Sequence, residues 1–116
     1  MFIIEEWKPA ISSRFPKFVV YLEVSNLGKV RSKISSKEFK PQIKDDYYSI
    51  KIVGIHIFIH DLVAETYIKP KPEGMFIDHI NGNKKDNILS NLQYISNIVN
   101  AKKGNRSDNE TQKNIS

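Results

Sequence analysis

The sequence predicts an α+β fold in which antiparallel β hairpins and one short helix come first, and a strand–loop–strand–helix unit follows. Three observations carry this prediction. Apolar and polar residues alternate around residues 18–34 and 47–60, as in half-buried strands. Turn residues punctuate those runs, notably SNLG at Ser25–Gly28 and the pair Asn81-Gly82. One segment, DLVAETYIKP, instead reads as two turns of helix, with Asp61 near its start and Pro70 just past its end.

Taken in order, residues 1–17 form an entry segment in which Trp7 is expected to anchor the core. A strand is predicted from Phe18, with Val20, Leu22 and Val24 on one face and Tyr21 and Glu23 on the other. After the SNLG turn, KVRSKI reads as its partner, placing Lys29, Arg31 and Lys33 on one pleat face opposite Val30, Ser32 and Ile34. DDYYSIKIVGIHIFIH reads as a second hairpin broken at Gly54, with His56, Phe58 and His60 sharing a face. The helix follows, and KPKPEG, Lys69–Gly74, is the clearest linker. Beyond it come the strand MFIDHI, the loop NGNKKDNILSN, the strand LQYIS and a helix from Asn97 to about Lys103 with Ser96 as its N-cap. The tail 107–116 has almost no apolar content and is expected to be disordered.

A chain of 116 residues makes one small domain, or two sub-domains too small to be very stable apart. It has no cysteine, so neither disulfides nor thiolate zinc sites are available. That fits a reducing, cytoplasmic setting, as does the start FIIEEW, which lacks the features of a secretory leader. The longest apolar run, around Ile50 to Ile59, is interrupted by Lys51, Gly54 and His56, and no segment reads as a membrane span. With 18 Lys and Arg against 13 Asp and Glu, the balance leans towards a polyanionic partner. The Lys29/Arg31/Lys33 face could simply be solvated; the alternative is a cationic β ribbon laid against phosphates, extended by Lys37, Lys40 and Lys44.

The chemistry-bearing residues gather after the linker. Asp78 and His79 are adjacent, and on a regular strand they point to opposite faces unless the strand ends there, which the Asn-Gly turn permits. If the last helix carries Asn100 back toward Asp78, a carboxylate and an amide oxygen offer two hard ligands, the sparse set suited to a cation that keeps its waters. His79 would then stand by as a general base. Asn91 is placed to tie the two strands across the loop and fix His79. Asn83, Asn87 and Asn97 are read as turn and cap residues with no part in catalysis. His56 and His60 are four apart but lack the Glu of a HExxH zinc motif.

Asp78-His79, Asn91 twelve positions past the histidine and Asn100 nine further on resemble the ββα-metal (His-Me finger) motif of HNH endonucleases, in the variant with Asn in the last place. The stretch DHINGNKKDN…NLQYIS…N is similar to the pattern DH-x-DGN-x-x-NN…NLxWVT…N of phage- and intron-encoded HNH homing endonucleases. Upstream, EEWKPAI, YLEVSNLGKVRS and IHDLVAETYIKP resemble the NUMOD4 module that precedes HNH in that group. In all, the resemblance covers residues 5–104. Asn81 replaces an Asp, Tyr94 a Trp, and Asp61 the Arg of HRLVA.

The resemblance implies a NUMOD4-like, DNA-contacting region at 1–70, an HNH nuclease motif at 71–106 and a polar tail at 107–116. It implies Asp78 and Asn100 as metal ligands, His79 as general base and Asn91 as the structural middle residue. A divalent metal, Mg²⁺ or alternatively Mn²⁺, is the implied cofactor, and double-stranded DNA the implied partner of a monomer or homodimer. Phosphate contacts are expected from Lys29, Arg31, Lys33, Lys102, Lys103 and Arg106. The competing expectation is a DNA-binding module whose HNH site has decayed.

Overall fold

A computed structural model describes residues 3–96. The helix expected from Asn97, the tail, and with them Asn100, Lys102, Lys103 and Arg106, lie outside the described residues.

Among the described residues, three small antiparallel sheets surround one α-helix. The first joins β1 (Trp7–Pro9), β2 (Leu22–Ser25) and β3 (Val30–Ser32), with β2 in the centre. Registers Leu22↔Ser32 and Val24↔Val30 put Leu22, Val24 and Val30 into the core. The second joins β4 (Gln42–Lys44), β5 (Tyr47–Ile52) and β6 (Ile55–Phe58), where Ile50 faces Ile57. The third pairs β7 (Met75–His79) with β8 (Leu92–Ser96).

Helix α1 (Ile59–Tyr67) follows β6 without a break. No side chain caps its first turn, and nine residues is too short for a helix to hold itself. Packing holds it instead. Ile59, Leu62 and Val63 are buried against Val24, Val30, Ile50, Ile57 and Leu92, so one core draws on all three sheets. Each such side chain contributes about 1.5–3 kcal/mol on burial.

Polar clips complete the assembly. The Tyr67 hydroxyl reaches the carbonyls of Glu6 and Val24, both at 2.8 Å. Buried Glu65 accepts the Ser13 and Lys71 amides at 2.8 Å each, and also the Ser13 hydroxyl. The Lys69–Gly74 segment is therefore fastened at Lys71, and again at the Lys69 carbonyl by the Tyr94 hydroxyl.

The expected elements shift in several places. The strand predicted from Phe18 starts only at Leu22, because residues 15–22 make successive turns (Phe18 N to Phe15 O, Leu22 N to Val19 O). Those turns send Val19 into the core and leave Val20 54% exposed. Trp7 is not a core anchor. It is half-buried on β1, with the Arg31 guanidinium 4.0 Å from its ring centroid. β3 is short, so Lys29 and Lys33 fall just outside its two ends. Exposed β4 has no apolar signal to announce it; the Asp45-Asp46 turn, both residues at positive φ, pairs it with β5.

The β5–β6 turn puts Val53 at φ 47°, a conformation unfavourable for a β-branched residue, and leaves it 86% exposed. Gly54 at φ 80° completes a turn for which Asn-Gly is the preferred pair. Val53→Asn should therefore raise stability by about 1 kcal/mol, read as a higher midpoint in urea unfolding. An unchanged or lower midpoint would show that Val53 carries no strain.

Candidate active site

β7 delivers Asp78 and His79 together at the mouth of the 81–91 loop. Both are buried, each 6% exposed, although alternation along the strand sends them to opposite faces. Asp78 stands across from Gln93 on β8, whose Nε2 donates to its Oδ2 at 2.8 Å. His79 closes the strand opposite Leu92, and the Gly82 amide turns back onto its carbonyl at 2.8 Å. β7 ends at His79, as the Asn-Gly turn after it permits.

Asn91 sits in a short 3₁₀ turn, Leu89–Asn91, just before β8. Its Oδ1 accepts the Asn81 amide at 2.9 Å, and its Nδ2 donates to Asn81 Oδ1 at 3.0 Å and to the Asp86 carbonyl at 2.9 Å. Its backbone carbonyl accepts the Ile80 amide at 2.8 Å. Asn91 thus ties the loop across its mouth. It does not hold His79 itself. That contact belongs to Asn87, whose Oδ1 lies 2.8 Å from His79 Nε2 in a buried pairing. Asn87 was read from sequence as a turn residue; nothing in its spacing reveals the contact, because the loop's path brings it back over the strand.

Aromatic rings wall His79 on another side. Its centroid is 5.2 Å from that of His60, edge-on, and 5.8 Å from that of Tyr47. His60 packs on Phe58 at 5.3 Å and Tyr47 at 4.8 Å, and its Nδ1 is buried without a hydrogen-bond partner. Burial, then the neighbouring His79 and Lys71, lowers its pKa to about 3, so its imidazole is neutral. Asp61, beside it, is pushed upward chiefly by burial, against the pull of Lys71. A cleft of about 240 Å³ opens here between Tyr47, Phe58, His60, Asp61, Lys71 and Phe76.

Cations lie close by. Lys84 Nζ is 5.3 Å from the Tyr47 ring centroid, and Lys71 Nζ 5.7 Å from that of Phe76. Neither Lys71, Lys84 nor Lys85 was singled out from the sequence, where they read as loop and linker charge. Of the residues that were, Arg31 is engaged by Glu23 at 2.8 Å and by Trp7. Lys29 and Lys33 lie just beyond the two ends of β3. His56 contacts Ser49 Oγ at 3.0 Å and belongs to the second sheet, whereas His60 lies on α1. Asn100, Lys102, Lys103 and Arg106 are outside the described residues.

Among the described residues, no cluster of three His, Cys, Asp or Glu side chains is placed to chelate a metal. Asp78 does fit a hard divalent ion that keeps most of its waters, since it supplies a buried carboxylate at the end of β7, on the residue next to His79 in sequence.

Two family models match the chain. The HNH endonuclease model covers residues 58–102, which takes in α1 and the Asp78-His79 hairpin. The NUMOD4 motif covers residues 5–53. The chain belongs to the HNH endonuclease family. Members of that family generally use a divalent metal. This HNH chain is 36% identical over 85 residues to DNA endonuclease I-HmuI of Bacillus phage SP01, covering 69% of this chain and 49% of that one. It is 39% identical over 72 residues to an HNH endonuclease of Acanthamoeba polyphaga mimivirus, covering 58% of this chain and 22% of that one. The solved structure of DNA binding and cleavage by the HNH homing endonuclease I-HmuI superposes with a TM-score of 0.70 at 32% identity, covering 91% of this chain and 60% of that one. The chain thus spans about half the length of the phage enzyme, and less of the mimivirus relative. No described helix is long and apolar enough to cross a membrane.

The depressed pKa of His60 has a consequence for stability. Between about 3 and 6.5 the unfolded chain binds a proton that the folded chain refuses. Its contribution is therefore full above about pH 6.5 and is lost as pH falls towards 3, at up to about 1.4 kcal/mol per pH unit. Asp61, shifted upward, acts in the opposite sense over the carboxylate range. Urea unfolding of His60→Phe should show a shallower loss on acidification than the parent. Equal slopes would remove His60 as the source.

Proposed function

We propose that this HNH chain hydrolyses a phosphodiester bond of double-stranded DNA in a metal-dependent way, with His79 as general base. The observation that carries the reading is a buried carboxylate and a buried imidazole on consecutive residues, at the point where β7 gives way to a loop bearing Lys84 and Lys85. The Asn87 contact at Nε2 leaves Nδ1 of the neutral ring as the basic nitrogen, since an amide oxygen only accepts.

His79 takes a proton from the attacking water as the water oxygen bonds to phosphorus. The bond from phosphorus to the 3′ oxygen breaks, and that oxygen takes a proton from solvent water, leaving a 5′ phosphate and a 3′ hydroxyl. Asp78, with the Asn100 amide oxygen, would hold the divalent ion, Mg²⁺ or Mn²⁺. When bound, such an ion supplies compensation for the charge that develops on the phosphoryl and leaving oxygens. The neutral His60 ring and Tyr47 shield one side of His79 from water, which strengthens electrostatic interactions inside the site.

DNA would be held through its phosphates by Lys29 and Lys33 at the two ends of β3 and by Lys84, Lys85 and Lys71 near the site. Lys102, Lys103 and Arg106 extend the proposed footprint, with Arg31 contributing less because Glu23 already pairs with it. One site cuts one strand, so a monomer nicks; a homodimer would break both strands.

In a plasmid nicking assay with magnesium, His79→Ala should lose about 10²–10⁴ in rate while binding DNA normally. Parental cleavage by that variant would refute the assignment. Asp78→Ala should abolish cleavage at ordinary magnesium concentrations. DNA affinity should fall steeply with salt, and Lys84→Ala should reduce the logarithmic salt slope by about one. A flat salt response would argue against a phosphate footprint.

A further inference from the structure

The nuclease reading uses the Asn87 contact to His79 but leaves open what holds Asn87 in place. Asn87 is a buried polar side chain whose Oδ1 faces His79 Nε2 at 2.8 Å. Its backbone meets the first sheet on the other side. A Cβ built on Gly28 would lie 2.9 Å from the Asn87 carbonyl oxygen, 3.1 Å from its carbonyl carbon and 3.1 Å from its Cβ. Real Cβ atoms essentially never approach backbone that closely, and Gly28 also stands at φ +85°. One residue before it in the same turn is Leu27, and next to that Asn26, whose carbonyl accepts the Leu89 amide at 2.8 Å. The Asn26 side chain is itself held, accepting the Glu6 amide at 2.8 Å and donating to the Ile4 carbonyl at 3.0 Å.

We propose that Asn87 is the positioning residue of His79, and that the Ser25–Gly28 turn between β2 and β3 braces it from behind. An amide oxygen opposite Nε2 requires the proton there and so selects the tautomer whose lone pair is on Nδ1. A residue on a loop holds such a rotamer only if its backbone is held too. The two contacts to the turn, one through Asn26 and one at Gly28, supply that hold. The brace therefore couples the NUMOD4-type segment to the imidazole of the HNH segment.

 Along the chain, Asn87 lies 59 positions after Gly28, so only the tertiary packing brings them together. The proposal rests on the nuclease reading for its effect on rate, but the tautomer itself is measurable without any cleavage.

The test uses the full chain, metal-free, labelled with ¹⁵N-histidine, with the three histidines assigned from His→Gln variants. The expected spectrum shows neutral His79 as the Nε2–H tautomer; an Nδ1–H tautomer or an even mixture would overturn the proposal whatever the nicking activity. If the parent shows the Nε2–H form but never nicks DNA, the nuclease reading fails and the brace stands. Asn87→Ala should shift His79 towards a tautomer mixture and lower kcat for nicking by about 10–100-fold, with KM within about twofold of the parent. Asn87→Asp, which keeps an acceptor oxygen, should restore most of both. Gly28→Ala should shift the tautomer in the same direction as Asn87→Ala. A folded Asn87→Ala variant with parental kcat, or a folded Gly28→Ala variant with the parental spectrum, would overturn the corresponding half. Should either variant fail to fold by circular dichroism, the parent spectrum and Asn87→Asp still decide.

Discussion

The side-chain amide of Asn91 closes the loop between β7 and β8, and the surroundings of His79 follow from that closure. Three side-chain hydrogen bonds span the loop mouth, to the Asn81 amide, the Asn81 side chain and the Asp86 carbonyl. A buried amide so satisfied has no better alternative within the fold, and losing one bond would leave donors unpaired at about 1–3 kcal/mol each. With residues 81 and 86 gathered to one point, Asn87 must emerge next to the end of β7. There its side chain meets His79 Nε2. The concentration of asparagine in this stretch is thus explained by its hydrogen-bonding capacity, with an acceptor and two donors on one short side chain.

The loop would not stay in place on its own hairpin. A two-stranded sheet is marginal in water, and here Leu92 and Ile77 pack on the core that α1 shares with the other two sheets. Helix α1 is equally dependent, being short and uncapped. Sheet, helix and loop hold one another. The segment from Lys69 to Gly74 shares in this arrangement through the Glu65 and Tyr94 contacts.

The molecule separates its charged and neutral functions in space. His60 and Tyr47 give His79 a neutral aromatic wall, and Phe58 packs on both of them. The lysines stand at its margin, where they retain their water: Lys84 above Tyr47 and Lys71 above Phe76.

Much of this was legible in the residues. The alternating run at 47–60 predicted β5 and β6, MFIDHI and LQYIS read as the strands β7 and β8, Pro70 marked the helix end, and Asp78, His79 and Asn91 stood out by pattern. Trp7 misled, because a large apolar side chain is equally at home under an arginine at the surface. The run from Phe18 misled because alternation cannot tell a strand from turns that bury a neighbouring valine. The sequence by itself determined which side chains could do chemistry and the period of the elements carrying them, since both are local properties of residue type and order. Only the tertiary structure decided that Asn87, and not Asn91, touches the imidazole, and that a glycine turn from the first sheet lies behind it. Those contacts join residues far apart in the chain, and long-range packing leaves no periodic trace in the sequence.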